Sequence, residues 1–223
     1  MEDDRHLAWA AAGAAAAAEV ESGMRVGIGT GRAAGAGIRA LARRVADEGL
    51  RITAVPTSVA TASLARELGL QLARLRGSLD IAFDGADAVA PGGAIVKGAG
   101  GALVRERIVA AASARWLVLV DGPKLVGSLD EWGRLPIAVV PFAAGRVMDE
   151  LADLDPLRRE HNSDDGLALV DLHLPAGADW EAVAARAAAM PGVVDHGLFH
   201  AGLADVVVGR PDGSSARAAT LDL

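Results

Sequence analysis

A chain of 223 residues, 52% apolar and with a formal net charge of −7, has enough apolar surface for a large folded core, and its acidic balance argues against nucleic acid as a partner. Cysteine is absent, which excludes disulfides, zinc–thiolate sites and thiol catalysis and agrees with a reducing cytoplasm. The alanine-rich stretch 8–20 is interrupted by Gly13 and too short to span a bilayer, and no leader or cleavage pattern precedes it, so neither a membrane span nor a signal peptide is expected.

Residues 2–21 read as a helix, acidic at its start and mostly alanine afterwards. Met24 to Ile28 reads as a strand that runs into Gly29-Thr30-Gly31, and a helix follows from Ala33 to Asp47. A second strand (Arg51 to Val55), a second helix (Ser58 to Leu68) and a short apolar return (Leu70 to Leu72) continue the alternation. Alternating strands and helices predict a parallel sheet with helices on both faces, an α/β, Rossmann-like domain. The string from Gly29 to Ala34 matches G-x-G-x-x-A, but a dinucleotide site also needs an acidic residue at the end of the second strand. That strand ends in Val55-Pro56-Thr57-Ser58, so a phosphate turn is the better reading and a nucleotide-dependent oxidoreductase the poorer one.

Ionisable residues and glycines converge most tightly in 79–107. An apolar strand, Leu79 to Phe83, ends in a turn that carries Asp84, Gly85, Ala86 and Asp87. Lys97 follows, then Gly98, Ala99, Gly100 and Gly101, then a helical pattern containing Glu106. Strand end, glycine loop and helix start together suit a small anionic ligand, because helix-start amides are unpaired and partly positive. An aspartate at a turn commonly just bonds its own backbone, and Glu106 between two arginines has the composition of a solvated helix face. Two aspartates on one turn with a lysine close in sequence form a stronger pattern, since like charges raise one pKa and the ammonium lowers it again.

Lys97 and Lys124 are the only lysines among 22 basic residues, and both fall in glycine-containing turns beside strands. The second follows the strand Arg115 to Val120, at Asp121-Gly122-Pro123-Lys124. Such strand exits are where open α/β sheets hold ligands. From residue 133 the pattern becomes strand 136–140, helix 142–153, strands 156–160 and 167–174 around a hairpin turn at Asn162 to Gly166, helix 179–189 and strand 193–199. That βαββαβ order predicts a smaller ferredoxin-like α+β domain at 133–202, inserted into a larger one formed by 1–132 and 203–223, with strand 204–208 rejoining the first sheet. His196 and His200, on one strand, would lie about 13 Å apart, too far to share an ion, so no metal site is expected.

The strings GIGTG, VPTS, DGAD, KGAGGAL with the following RE, DGPK, MPGVV and GLF with ADVV, in this order over most of the chain, resemble the ribose-5-phosphate isomerase type A family. The resemblance implies an aldose–ketose isomerase that uses neither metal nor cofactor, takes a sugar phosphate and assembles as a homodimer or homotetramer. It also implies roles: Glu106 as the base that moves a proton between C2 and C1 through a cis-enediolate, and Asp84, Asp87 and Lys97 for ring opening and proton traffic at the sugar oxygens. Thr30, Gly31, Arg32, Ala33, Gly85, Ala86, Gly98, Ala99, Gly100 and Lys124 would hold substrate and phosphate. The chain departs from the family pattern in four places. Arg32 and Ala33 stand where a Ser-Thr pair is usual, Ala88 where a glutamate follows DGAD, Ala99 at the middle glycine of the loop, and the first helix carries no lysine. Arg32 can replace the lost hydroxyls with a bidentate phosphate contact. The alternatives are a paralogue acting on another sugar phosphate and a non-catalytic sugar-phosphate sensor.

Overall fold

The computed structural model describes residues 2–217. In chain order the main elements are α1 (Glu2–Ala18), β1 (Arg25–Ile28), α2 (Arg32–Glu48), β2 (Thr53–Pro56), α3 (Val59–Glu67), β3 (Ile81–Gly85), β4 (Ala88–Val89), β5 (Ile95–Val96), α4 (Leu103–Ala112) and β6 (Trp116–Asp121). They continue with β7 (Arg134–Val139), α5 (Ala144–Glu150), β8 (Leu157–Arg158), β9 (Ala168–His173), α6 (Trp180–Ala188), β10 (Val193–His196), β11 (Leu198–Phe199), β12 (Asp205–Gly209) and β13 (Ser215–Arg217). Among the described residues the chain divides into two units, one of 2–86, 105–125 and 202–217, the other of 87–104 and 126–201.

The first unit is built on a six-stranded sheet in the order β13-β12-β6-β3-β1-β2, parallel except for the edge strand β13. Strands β1, β3 and β6 are almost wholly buried apolar runs, the pattern of a sheet covered on both faces. From β1 the chain goes to one side to make β2, then returns to the other side of β1 to make β3. That reversal creates a topological switch point at the carboxyl ends of β1 and β3, where open α/β sheets commonly hold ligands. Helices α1 and α2 approach closely because small residues meet. A Cβ on Gly13 would lie 2.5 Å from the amide nitrogen of Gly37, and a Cβ on Gly37 would lie 2.8 Å from the Phe83 ring. The core here is accordingly alanine-rich, with Ile28, Ile38, Leu41, Phe83 and Leu119 as its larger members.

The second unit contains a four-stranded antiparallel sheet, β10-β7-β9-β8, with α5 and α6 following β7 and β9. Numbered within the βαββαβ motif, that order is 4-1-3-2, the ferredoxin-like arrangement expected from the sequence. Leu135, Ile137 and Val139 of β7 with Val170 and Leu172 of β9 fill its core, and Trp180 and Ala184 of α6 pack there too.

Two expectations needed correction. The strand expected over 193–199 is two strands that enter different sheets: β10 pairs with β7, while β11 pairs with β5 in a three-stranded sheet β11-β5-β4. Gly197 is the pivot. Its N–H donates to Pro136 O (2.7 Å), its carbonyl accepts from Lys97 N (2.8 Å), and a Cβ there would fall 2.1 Å from Lys97 O, so only glycine permits the switch. His196 and His200 therefore do not share a strand. The second difference follows from the first. Residues 87–104 pack with the second unit instead of the first, because β4 and β5 pair with β11, and 126–132 belong there too, with Val126 N donating to Val89 O at 3.0 Å.

Candidate active site

In the first unit the candidate residues lie at strand exits or in the first turns of helices. Asp84 is the fourth residue of β3 and only 3% exposed. Its Oδ1 accepts from the Thr30 amide (3.0 Å), and a Cβ on Gly29 would lie 2.1 Å from that oxygen. Gly29 is thus required for a carboxylate to rest against the turn after β1. Gly31, at φ +106°, turns the chain into α2 through backbone that favours glycine, and it leaves the start of α2 with no side-chain cap. Uncapped helix-start amides are a ready anion site.

The Thr30 hydroxyl does not point at open solvent alone. It lies 2.8 Å from Thr57 Oγ1, 2.8 Å from Ser58 Oγ and 3.2 Å from Thr61 Oγ1, and all three partners are buried. Ser58 also caps α3 by accepting from Thr61 N (3.0 Å), and Thr61 Oγ1 donates to Gly29 O (2.9 Å). This hydroxyl network ties the turn after β1 to the turn after β2. Of these four, only Thr30 is among the residues that the family resemblance assigns to the site. The VPTS string was the available signal for Thr57 and Ser58, and the cap position N-terminal to α3 was the signal for Ser58.

Glu106 sits in the first turn of α4 and is 4% exposed, where the positive end of the helix dipole favours a carboxylate. Lys124 closes the short 3₁₀ turn Gly122–Lys124 that follows β6. Arg32 is exposed at the first position of α2, and Ala33 is buried in the unit's core.

The second unit carries the remaining candidates. Lys97 is 2% exposed, and its backbone N–H is fixed by Gly197 O. Asp87 Oδ2 accepts from Ala99 N (2.8 Å), so the aspartate orders the loop that follows Lys97. Asp155 is the sole non-glycine described residue with positive φ, so Ala99 has an ordinary backbone and replaces a glycine without strain. Ala88 is fully buried in the apolar core of this unit.

Arg159 is the residue whose place the sequence does not reveal. Its Nη1 donates to the carbonyls of Gly98 (2.8 Å) and Ala99 (3.1 Å), while Nε and Nη2 make a bidentate pair with buried Asp171 (2.9 and 2.6 Å). A guanidinium held in a fork by a carboxylate has a fixed direction. It pulls the loop carbonyls toward β9 and so braces the loop between Lys97 and Gly101. No spacing rule joins residues about 60 apart, so only the fold reveals the pair.

Of the histidines considered for metal, His200 Nδ1 lies 2.9 Å from Glu181 Oε1, and the described residues hold no group of three or more His, Asp or Glu side chains suited to an ion. Among the same residues no helix is long and apolar enough to cross a membrane.

A parallel sheet with its switch point beside a buried carboxylate, a hydroxyl-lined glycine turn and an uncapped helix start is the arrangement with which α/β proteins hold small anionic ligands. Comparison with known proteins narrows this. Residues 53–213 match the family model for ribose 5-phosphate isomerase A (phosphoriboisomerase A). The chain is 45% identical over 187 residues to ribose-5-phosphate isomerase A of Roseiflexus castenholzii, covering 79% of this chain and 80% of that one. It is 42% identical over 195 residues to the Natronomonas pharaonis protein of the same name, covering 82% and 84%. Its structure is similar to that of ribose 5-phosphate isomerase A from Methanocaldococcus jannaschii, with a TM-score of 0.86, 30% identity, and 97% and 100% of the two chains covered. A D-ribose-5-phosphate isomerase in complex with phospho-erythronic acid is similar at a TM-score of 0.85 and 28% identity, with coverage of 97% and 98%. The chain belongs to the ribose 5-phosphate isomerase A family.

Proposed function

We propose that the chain interconverts ribose 5-phosphate and ribulose 5-phosphate through a cis-enediolate. Family membership sets the reaction, and the observation that carries the residue roles is the burial of three ionisable side chains, Asp84, Lys97 and Glu106, each under 5% exposed. Burial of charge is costly unless it is compensated, and such groups concentrate where chemistry needs them.

In the open-chain aldose, the Glu106 carboxylate takes the proton from C2. The C1=O bond becomes C1–O⁻ as C1=C2 forms, and Lys97 and the loop amides from Gly98 to Gly101 donate to the developing oxyanion. A proton passes from the C2 hydroxyl to the C1 oxygen, and Glu106 returns its proton to C1, leaving the carbonyl at C2. Asp84 and Asp87 serve ring opening and proton exchange at the sugar oxygens, next to Gly85 and Ala86 on the same turn. Thr30, Gly31, Arg32, Ala33 and Lys124 hold the substrate's phosphate end, with Gly98, Ala99 and Gly100 along the sugar. Phospho-erythronic acid, a phosphorylated sugar acid bound to the relative, supports a sugar phosphate as the ligand class. None of these steps draws on a metal or an organic cofactor.

Purified protein, assayed with chelator present, is expected to form ketose from ribose 5-phosphate faster than from other phosphorylated pentoses. Faster turnover of another pentose would assign a paralogous substrate, and binding without turnover would assign a sensor. The absence of cysteine supports a reducing cytoplasm as its location. Assembly as a homodimer or homotetramer would cover exposed apolar side chains such as Phe142 and Leu157 of the second unit, which light scattering can test.

A further inference from the structure

Apart from its backbone amides, the turn that leads into α2 offers a dianion few side-chain groups. Its one hydroxyl, that of Thr30, is already engaged with Thr57, Ser58 and Thr61, Ala33 is apolar, and Arg32 is the single charged side chain it presents. An exposed arginine would ordinarily sample many rotamers and lose that freedom on binding. Arg32 is held instead. Its guanidinium carbon lies 5.0 Å from the centre of the Trp9 ring, and among the described residues this is the guanidinium's only interaction. A cation–π contact takes up none of the guanidinium's N–H donors in a hydrogen bond, so they remain available to an anion.

Trp9 is itself fixed. It is 6% exposed within the core of the first unit, and the His6 ring lies nearly perpendicular to it with centroids 5.1 Å apart. Helix α1 is anchored on both sides of it. A Cβ on Gly209 would lie 1.8 Å from Ala8 O, so the helix rests directly on β12, and Gly13 meets Gly37 one turn later. A second guanidinium, that of Arg5, lies 5.1 Å from the same ring and binds Asp121 through Nε at 2.7 Å. Asp121 is 1% exposed, opens the turn that ends in Lys124, and its Oδ1 has no hydrogen-bond partner among the described residues. One indole thereby connects Arg32 to the exit of β6 through Arg5.

We infer that Trp9 is a positioning residue for phosphate recognition, which holds the Arg32 guanidinium in its binding orientation, with the Arg5–Asp121 pair fixing the other guanidinium on the same ring. The inference rests on the reading of Arg32 as a phosphate ligand. Preorganisation of this kind strengthens binding by lowering the ordering cost, and it touches no reacting atom. Its signature is therefore in KM.

The test is steady-state kinetics with ribose 5-phosphate on Trp9→Leu, Trp9→Phe, Arg32→Ala and the double variant Trp9→Leu/Arg32→Ala. A cation–π contact of this exposure predicts that Trp9→Leu raises KM roughly two- to five-fold with little change in kcat, and that Trp9→Phe, which keeps an aromatic face, recovers part of the rise. The double variant should show the KM of Arg32→Ala alone, since Trp9 acts through Arg32. An unchanged KM in Trp9→Leu, or effects that multiply in the double variant, overturns the inference. An unchanged KM in Arg32→Ala instead overturns the phosphate reading on which it rests. If Trp9→Leu does not fold, the same cycle run with Trp9→Met, which keeps apolar bulk and removes the aromatic face, decides the question by the same criteria.

Discussion

The first unit presents its candidate residues at the ends of parallel strands, whereas the second presents them on a loop that other side chains must hold. Asp84 lies near the end of β3, and Thr30 and Lys124 follow β1 and β6, so the sheet's own hydrogen bonds fix where they emerge. Lys97 and the residues after it have no regular element of their own between β5 and α4, and they depend on Asp87, Gly197, Arg159 and Asp171. Both arrangements place buried charge, by different means. A strand end is stiff because many backbone bonds support it, while a braced loop is only as stiff as a few side-chain pairs.

Substitutions can break that contrast, beginning with the chemistry itself. Glu106→Gln keeps shape and removes the base. We expect kcat to fall by about 10²- to 10⁴-fold with substrate binding largely kept, and deuterium incorporation from solvent to cease. Incorporation at the parent rate would remove Glu106 from the mechanism. Arg159→Met is the sharpest test of the brace. Loss of one partner leaves Asp171 buried and unpaired, so stability should drop by about 3 kcal/mol in urea unfolding, and kcat should fall because Lys97 loses a fixed loop. Wild-type kcat in this variant would mean that the loop needs no brace. Ser58→Ala probes the stiffer side. It removes the cap of α3 and one partner of Thr30 at about 1 kcal/mol, and because the sheet still fixes the turn after β1, kcat should change less than in Arg159→Met.

The smallest effect concerns pH. Asp130 accepts from Gly177 N (2.7 Å) and Trp180 Nε1 (3.0 Å), and these bonds, the Gly177 amide foremost, hold its carboxyl below the usual value. A depressed folded-state pKa means the contribution is present above the unfolded pKa and lost as pH falls through the folded one. The second unit's unfolding midpoint should therefore decline at acidic pH, and Asp130→Asn should flatten that decline. Equal pH profiles for the two proteins would refute the assignment.

Much of the architecture is written in local pattern. Apolar runs that end in glycine turns gave the parallel strands and the exits where Thr30, Asp84 and Lys124 lie, and the βαββαβ order gave the ferredoxin-like sheet with its 4-1-3-2 arrangement. Hydrophobic periodicity and turn chemistry act over a few residues, which is why they can be read without a fold. What failed was the seam. The strand over 193–199 read as one because only Asp195, His196 and Gly197 separate Val193-Val194 from Leu198-Phe199, and the meaning of Gly197 shows only when the Lys97 carbonyl lies where its Cβ would be.

The candidate site divides in the same way. The sequence by itself marked candidates for the chemistry, Asp84 and Lys97 by type and spacing and Glu106 through the family resemblance, and all three are buried. It also marked Arg32 as unusual. Only the tertiary structure decided what holds them: Arg159 and Asp171 against the Gly98 carbonyl, Thr57 and Ser58 against Thr30, and Trp9 against Arg32. Those partners lie between 12 and 61 residues apart in the chain or on separate helices, and side-chain direction across such distances is set by packing, which no local rule encodes.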